Sequence, residues 1–272
     1  MIEQKENTGT EGMKKEKFLL DLTVRSVQRL HERYVLIKLT EDEPLPPMRP
    51  GQFIEVRVDG QPQTFLRRPI SIHFVDREKN ELWLLVATIG AGTRQMATLH
   101  EGDRMNCVLP LGNGFSWKPT TAKKVLLVGG GVGVAPLLWM GERICSEGCE
   151  AVFLLGARSK GDLLQIDEFG RYGRVLTTTE DGTYGERGFV TQHSALETEH
   201  FDLILSCGPT PMMKAVASYA RKTGTDCEVS LENMMACGLG ACLCCVEKTT
   251  EGNLCVCKEG PVFNTKRLLW QV

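Results

Sequence analysis

Six of the chain's eleven cysteines fall within 21 residues, from Cys237 to Cys257. Cys237, Cys242 and Cys245 are spaced C-x4-C-x2-C, and Cys257 follows after eleven further residues. Thiols this crowded either pair as disulfides in a small exported chain or hold metal as thiolates. Residues 1–17, MIEQKENTGTEGMKKEK, are polar and lack the apolar centre of an export signal. They read as a disordered leader. No apolar run approaches the roughly 20 residues of a membrane span. Metal binding in a reducing cytoplasm is therefore expected. The formal net charge of −2 offers no basic surface for nucleic acid or an anionic membrane.

The cysteine run resembles the plant-type ferredoxin pattern, in which a glycine-rich loop and one distal cysteine hold a 2Fe–2S cluster. Gly238, Gly240 and Ala241 leave no bulky side chains to crowd such a cluster, and glycine admits turns that larger residues resist. Cys255 and Cys257 are both within reach as fourth ligand, and spacing alone does not choose between them. Zinc is the rival occupant, since four thiolates also make a structural zinc site. The scattered Cys107, Cys145, Cys149, Cys207 and Cys227 sit mostly in apolar contexts and are expected to pack in the core.

A cluster passes single electrons, so the rest of the chain must load and unload it. From Phe18 to Leu109 the pattern is short strands broken by turn residues: FLLDLTVRSV, YVLIKLT, QFIEVRV, RRPISIHFV and ELWLLVATI. Five or more such strands predict a small antiparallel Greek-key barrel over residues 18–120. Within it, Arg67-Arg68-Pro69-Ile70-Ser71 resembles the Arg-x-Tyr-Ser flavin motif of the ferredoxin–NADP reductase family, with Ile70 in place of Tyr. An arginine fork suits a flavin phosphate, and Ser71 is placed to hydrogen-bond near the ring. The plain alternative is a strand with a surface arginine and a turn proline. Gly90-Ala91-Gly92-Thr93 then runs into RQMATLH, read as a helix with Thr93 at its cap and an anion site in its backbone N–H groups. The resemblance puts the FAD pyrophosphate there. Leu85, Val86 and Ala87 are placed to line the ring through their backbone. PLGNGFSW, Pro110–Trp117, reads as a packed corner before a linker.

Residues 121–230 alternate strand and helix, which predicts a parallel sheet covered by helices. The apolar strand Lys124–Val128 enters Gly129-Gly130-Gly131-Val132-Gly133-Val134-Ala135-Pro136 and then a helix. That is the arrangement in which backbone N–H groups meet a phosphate. GxGxxP, with Pro136 in place of a third glycine, is the ferredoxin-reductase version. Helices are further expected over DLLQIDEFG, FVTQHSAL and PTPMMKAVASYARKTG. Cys207-Gly208-Pro209 ends a strand where such sheets bind ligands, and the same family sets its CGP motif beside the nicotinamide. Cys207 is a possible catalytic residue, or simply a small buried one. Arg158-Ser159-Lys160 follows the second strand, where a basic pair would suit either a 2′-phosphate or solvent.

The order of flavin barrel, nucleotide domain and C-terminal cysteine module (residues 231–272) resembles the electron-transfer subunit of NAD-dependent, B-type dihydroorotate dehydrogenase over residues 18–272. LRRPISI, GAGT, PLGNGF, GGGVGVAPL, CGPTPMMKA and the run from ACGLGACLCC to VCKEGPVF carry it. The resemblance implies FAD on Arg68, Pro69, Ile70, Ser71, Leu85, Val86, Ala87, Gly92 and Thr93. It implies NAD(H) on Gly130, Gly131, Gly133, Pro136, Cys207, Gly208 and Pro209, and a 2Fe–2S cluster on Cys237, Cys242, Cys245 and Cys257. Cys257 is preferred because it opens CKEGPVF, leaving Cys244 and Cys255 as bystanders. The resemblance also implies an FMN-containing catalytic subunit that oxidises dihydroorotate in pyrimidine synthesis, joined as a heterotetramer of two each. Electrons would pass from FMN to cluster to FAD to NAD⁺, because a flavin can exchange both hydride and single electrons. The alternatives are a subunit of a sulfide dehydrogenase or NADP-linked ferredoxin oxidoreductase, and a non-redox zinc-binding assembly protein. The tail RLLWQV reads as core packing, with partner docking as the alternative.

Overall fold

The computed structural model describes residues 16–270; the expected leader, but for Glu16 and Lys17, and the tail residues Gln271 and Val272 lie outside them. Six strands close an antiparallel barrel: β1 (Phe18–His31), β2 (Tyr34–Thr40), β3 (Phe53–Val56), β4 (Arg68–Asp76), β5 (Glu81–Ala87) and β6 (Arg104–Leu111), in the order β1-β2-β5-β4-β3-β6. The period-2 pattern explains it. Leu22, Val24, Ile37, Leu39, Ile54, Val56, Ile72, Leu82, Leu84 and Leu109 are buried in one cluster. Each such side chain contributes on the order of 1.5–3 kcal/mol.

Strand β6 is not among the five read from the sequence. Its segment, RMNCVLPL, carries a buried Asn106 and a proline that mask the strand signal. Asn106 belongs there because Arg67 Nη1 donates to its carbonyl at 3.0 Å and its own amide donates to Asp21 Oδ1 at 2.8 Å. Helix α1 (Ala91–Met96) follows β5, but its N-cap is Gly90, not Thr93. Thr93 sits one turn in, where its Oγ1 accepts from Gly90 N at 3.1 Å.

Beyond the barrel lies a seven-stranded sheet. Its parallel part comprises β7 (Lys124–Gly130), β8 (Glu150–Ala157), β9 (Arg174–Thr179), the short β10 (Glu186–Arg187), β11 (Leu203–Cys207) and β12 (Asp226–Ser230). The order is β10-β9-β8-β7-β11-β12, so the strand order reverses at β7/β11, the point where open sheets of this kind bind ligands. Two helices are substantial: α2 (Leu137–Ser146) and, after the short crossovers, a 14-residue helix at Thr210–Thr223. The expected helix over DLLQIDEFG shortens to α3 (Ile166–Gly170). FVTQHSAL becomes a 3-10 turn at Val190–Gln192 and a single turn, α4 (Ala195–Thr198), so that the long helix is α5. Both segments are thick with polar residues and lack a sustained apolar stripe, so no helix longer than a turn or so has a face to bury.

The C-terminal segment forms the hairpin β13 (Val246–Thr249) and β14 (Gly252–Cys255), a turn α6 (Val256–Glu259), and β15 (Val262–Asn264). β15 pairs antiparallel with β12 and completes the sheet edge. The cysteine segment is therefore stitched into the nucleotide sheet. Leu268 is buried and Trp270 packs on the core, while Leu269 is 59% exposed. No helix of the described residues is long and apolar enough to cross a membrane.

Candidate functional site

Two cavities meet where barrel and sheet join. The larger, about 640 Å³, opens over the carboxyl ends of the parallel strands. Gly130–Gly133, Gly208 and Pro209 line it, opposite Arg33 and Tyr34 from the barrel. Gly131 is left-handed, at φ +57. Gly133 allows the closest approach: a Cβ there would lie 2.4 Å from Gly208 Cα and 2.6 Å from the Cys207 carbonyl. Cys207 and Pro136 are buried beneath this surface and do not line it. Burial raises the Cys207 thiol well above its ordinary value, so it stays protonated. The basic pair is split. Arg158 lines the cavity, while Lys160 lies 5.4 Å from the Tyr184 ring centroid.

The smaller cavity, about 290 Å³, is lined by Pro69, Ile70, Ser71, Leu85, Val86, Ala87 and Thr93 of the barrel. The sequence named all seven together. Arg68 and Gly92 lie just outside, against each other: a Cβ on Gly92 would meet Arg68 Nε at 3.2 Å. The opposite wall is Ser230–Met235 with Pro261. Val132 and Glu232 line both cavities, so the two adjoin. Glu232 was not singled out from sequence, since a lone glutamate after a strand carries no motif. Burial raises its pKa.

One imidazole holds the two halves together. His73 on β4 is fully buried; its Nδ1 lies 2.8 Å from the Ala135 carbonyl in the glycine turn, and its Nε2 lies 2.8 Å from Gln165 Oε1. Burial lowers its pKa, against the raising effect of the two oxygens, and the ring is neutral.

The chain leaves the smaller cavity at Met235 and reaches Cys237 two residues later. Cys237, Cys242 and Cys245 lie in the loop before β13 and Cys257 on the turn α6; Cys237 is half-buried, Cys242 exposed and the last two buried. Backbone amides point at the sulfurs: Leu239 N to Cys237 at 3.4 Å, Gly240 N to Cys257 at 3.1 Å and Cys257 N to Cys245 at 3.4 Å. Burial opposes ionisation of Cys237, yet the amides of Leu239, Cys242 and Ala241 and the Cys242 thiol bring it down to about 6. Gly238 and Gly240 are left-handed, at φ +64 and +82, and the Gly240 N–H is one of the donors to sulfur. Cys255 is pushed the other way, by burial and by the neighbouring thiols; Cys244 is exposed. Among the described residues no three His, Cys, Asp or Glu side chains converge as a single ion requires. Backbone amides donating to clustered thiols suit an iron–sulfur cluster.

PLGNGF does not end in a free linker. Asn113 Nδ2 donates to the carbonyls of Lys258 and Glu259 at 3.1 and 2.9 Å, and Asn113 N donates to the Gly260 carbonyl at 2.6 Å. The barrel thus clamps the turn that carries Cys257.

Residues 232–269 match the iron-sulfur cluster binding domain of dihydroorotate dehydrogenase B. Residues 127–218 match the oxidoreductase NAD-binding domain. The dihydroorotate dehydrogenase B (NAD(+)) electron transfer subunit of Bacillus velezensis is 38% identical over 252 residues, 91% of this chain and 97% of that one. The chain belongs to the family of these electron transfer subunits. The Shouchella clausii member is 40% identical over 220 residues, covering 79% of this chain and 84% of its own. Among solved structures, an NADH-dependent reduced ferredoxin-NADP oxidoreductase superposes with TM-score 0.82 at 29% identity, covering 92% of this chain and 90% of that one. An Amycolatopsis cytochrome P450 reductase gives 0.66 at 25%, covering 76% and 66%. The matched iron-sulfur region of this chain both walls the smaller cavity and carries the six clustered cysteines.

Proposed function

We propose that this chain is the electron-transfer subunit of an NAD-linked dihydroorotate dehydrogenase, carrying FAD, one 2Fe–2S cluster and NAD(H). When bound, these groups relay electrons from the FMN of a separate catalytic subunit, through the cluster and FAD, to NAD⁺. The observation that carries this is the adjacency of the three sites. The nucleotide cavity and the smaller cavity share Val132 and Glu232, and the wall of the smaller one runs directly into Cys237.

Each region has a task. The barrel binds flavin: Arg68 and Gly92 hold its phosphates, and Pro69–Ser71, Leu85–Ala87 and Thr93 bound its ring. Gly130, Gly131 and Gly133 offer backbone to the NAD(H) phosphates, Gly208 and Pro209 shape the nicotinamide end, and Pro136 and Cys207 support these surfaces from beneath. Cys237, Cys242, Cys245 and Cys257 hold the cluster. Exposed Leu239 and Leu243 surround it, where an electron-donating partner must approach. The pairing is proposed as two copies of each subunit, in the cytoplasm, where the free thiols at Cys244 and Cys255 stay reduced.

Co-expression tests this. A second chain holding FMN and oxidising dihydroorotate is expected to co-purify, and the complex to reduce NAD⁺ with dihydroorotate. The chain alone is expected to show flavin bands with an iron–sulfur shoulder. A colourless, zinc-containing protein with no such partner would overturn the reading.

A further inference from the structure

The barrel supplies a wall of the nucleotide cavity, through the turn between β1 and β2. Tyr34 stands over the glycine turn, its Oη 3.7 Å from where a Cβ on Gly131 would be. Arg33, next in the chain, reaches across the cavity to the sheet, its Nη2 3.4 Å from Asp162 Oδ1. Asp162 is itself held by Ser159 Oγ at 3.1 Å. Arg33 therefore lies between the glycine turn and the 3-10 turn at Lys160–Asp162.

A dinucleotide brings two phosphate charges to that place. The glycine turn offers backbone N–H groups and the start of α2, which are partial charges only. The cavity lining adds two full cations, Arg33 and Arg158. Arg158 follows the carboxyl end of β8, where its carbonyl accepts from Asp181 N at 3.2 Å and Glu180 also lines the cavity. Arg33 comes from the opposite, barrel wall, next to Tyr34, whose Oη stands over Gly131. Its guanidinium side chain is 51% exposed and spends one nitrogen on Asp162, so the remaining donors of the fork are open to a phosphate.

We propose that Arg33 binds the pyrophosphate of NAD(H), with Asp162 holding its guanidinium in place, so that barrel and sheet grip the dinucleotide together. The consequence is positional. Tyr34 pairs with Ala87 at the end of β5, and Ala87 lines the smaller cavity. A grip at Arg33 thus sets the nicotinamide against the strand that bounds the flavin ring. The proposal rests on reading the larger cavity as the NAD(H) site.

The test uses the full chain loaded with its cofactors, titrated calorimetrically with NADH and with ADP-ribose, which keeps the pyrophosphate and lacks nicotinamide. Arg33→Ala is expected to weaken both by the same factor, about ten- to a hundredfold, as for a lost charge-assisted contact. Arg33→Lys is expected to recover part of it, and the wild-type affinity to fall more steeply with salt than that of Arg33→Ala. Flavin content is expected to stay the same in every variant. Asp162→Asn is expected to weaken both ligands by the same factor but less than Arg33→Ala does, since it loosens the guanidinium without removing it. Unchanged affinity in Arg33→Ala would overturn the proposal, as would a loss for NADH without one for ADP-ribose. So would an equal loss in Asp162→Asn, which would make the pair a structural brace. A wild-type chain that binds neither ligand would overturn the cavity assignment itself, and the Arg33 proposal with it.

Discussion

Glu55 lies directly beneath Gly238: a Cβ on that glycine would sit 2.7 Å from Glu55 Cγ. The cysteine loop thus rests its first turn on a carboxyl of barrel strand β3. Glu55 is 1% exposed, and neither carboxylate oxygen has a hydrogen-bond partner among the described residues. Burial raises its pKa to about 7, against the opposing pull of Arg67 and with a further push from Cys237.

The folded chain therefore keeps a proton on Glu55 that the unfolded chain loses. Between an ordinary 4.5 and about 7 the folded state binds more protons, so stability falls as pH rises through that window. The full effect is on the order of 3 kcal/mol. Glu55→Gln should remove this slope and melt higher than wild type at pH 8, with the gap closing toward pH 5. Parallel melting curves across that range would refute it.

His73 has the opposite sign. Burial depresses its folded pKa below the ordinary 6.5, so the unfolded chain takes up the proton first. Stability from this site is complete above about 6.5 and is lost as pH falls below it. His73→Gln should be less stable overall, since it loses the contact to Ala135, but its stability should fall less between pH 7 and 5. Thermal melts of both proteins at each pH decide the matter.

The ligand set is tested by single serine substitutions. Cys237→Ser, Cys242→Ser, Cys245→Ser and Cys257→Ser should each abolish the paramagnetic signal of the reduced cluster, and Cys244→Ser and Cys255→Ser should keep it. Only Cys257 of the two distal candidates receives a backbone amide, from Gly240 at 3.1 Å. A signal surviving in Cys257→Ser and lost in Cys255→Ser reverses the assignment.

Gly133→Ala separates the two cavities. The added methyl would strike Gly208 and the Cys207 carbonyl, neither of which is a flexible side chain. Overpacking of this kind costs about 1–3 kcal/mol. NADH affinity should drop at least about tenfold while the flavin and iron–sulfur absorbance stays at wild-type level. A parallel loss of flavin would show that the strain spreads into the barrel.

Local chemistry was legible from the chain alone. Glycines before a helix, strands of alternating apolar residues and C-x4-C-x2-C spacing each carry their physical reason within a few neighbours. That is why the barrel, the parallel sheet and the cysteine loop could be expected in order, and why seven barrel residues named together line one cavity. Three things needed the fold. Strand β6 is hidden because Asn106 and Pro110 look wrong for a strand until Arg67 and Asp21 are seen to satisfy the asparagine. Glu55 is an ordinary surface-strand glutamate until Gly238 covers it. Arg33, Asp162 and Glu232 belong to no motif, and the Arg33–Asp162 pair joins residues far apart in sequence. The residues of each site are set by short-range spacing. What joins the sites is set by long-range contact, and only the packed tertiary structure brings those residues within reach of one another.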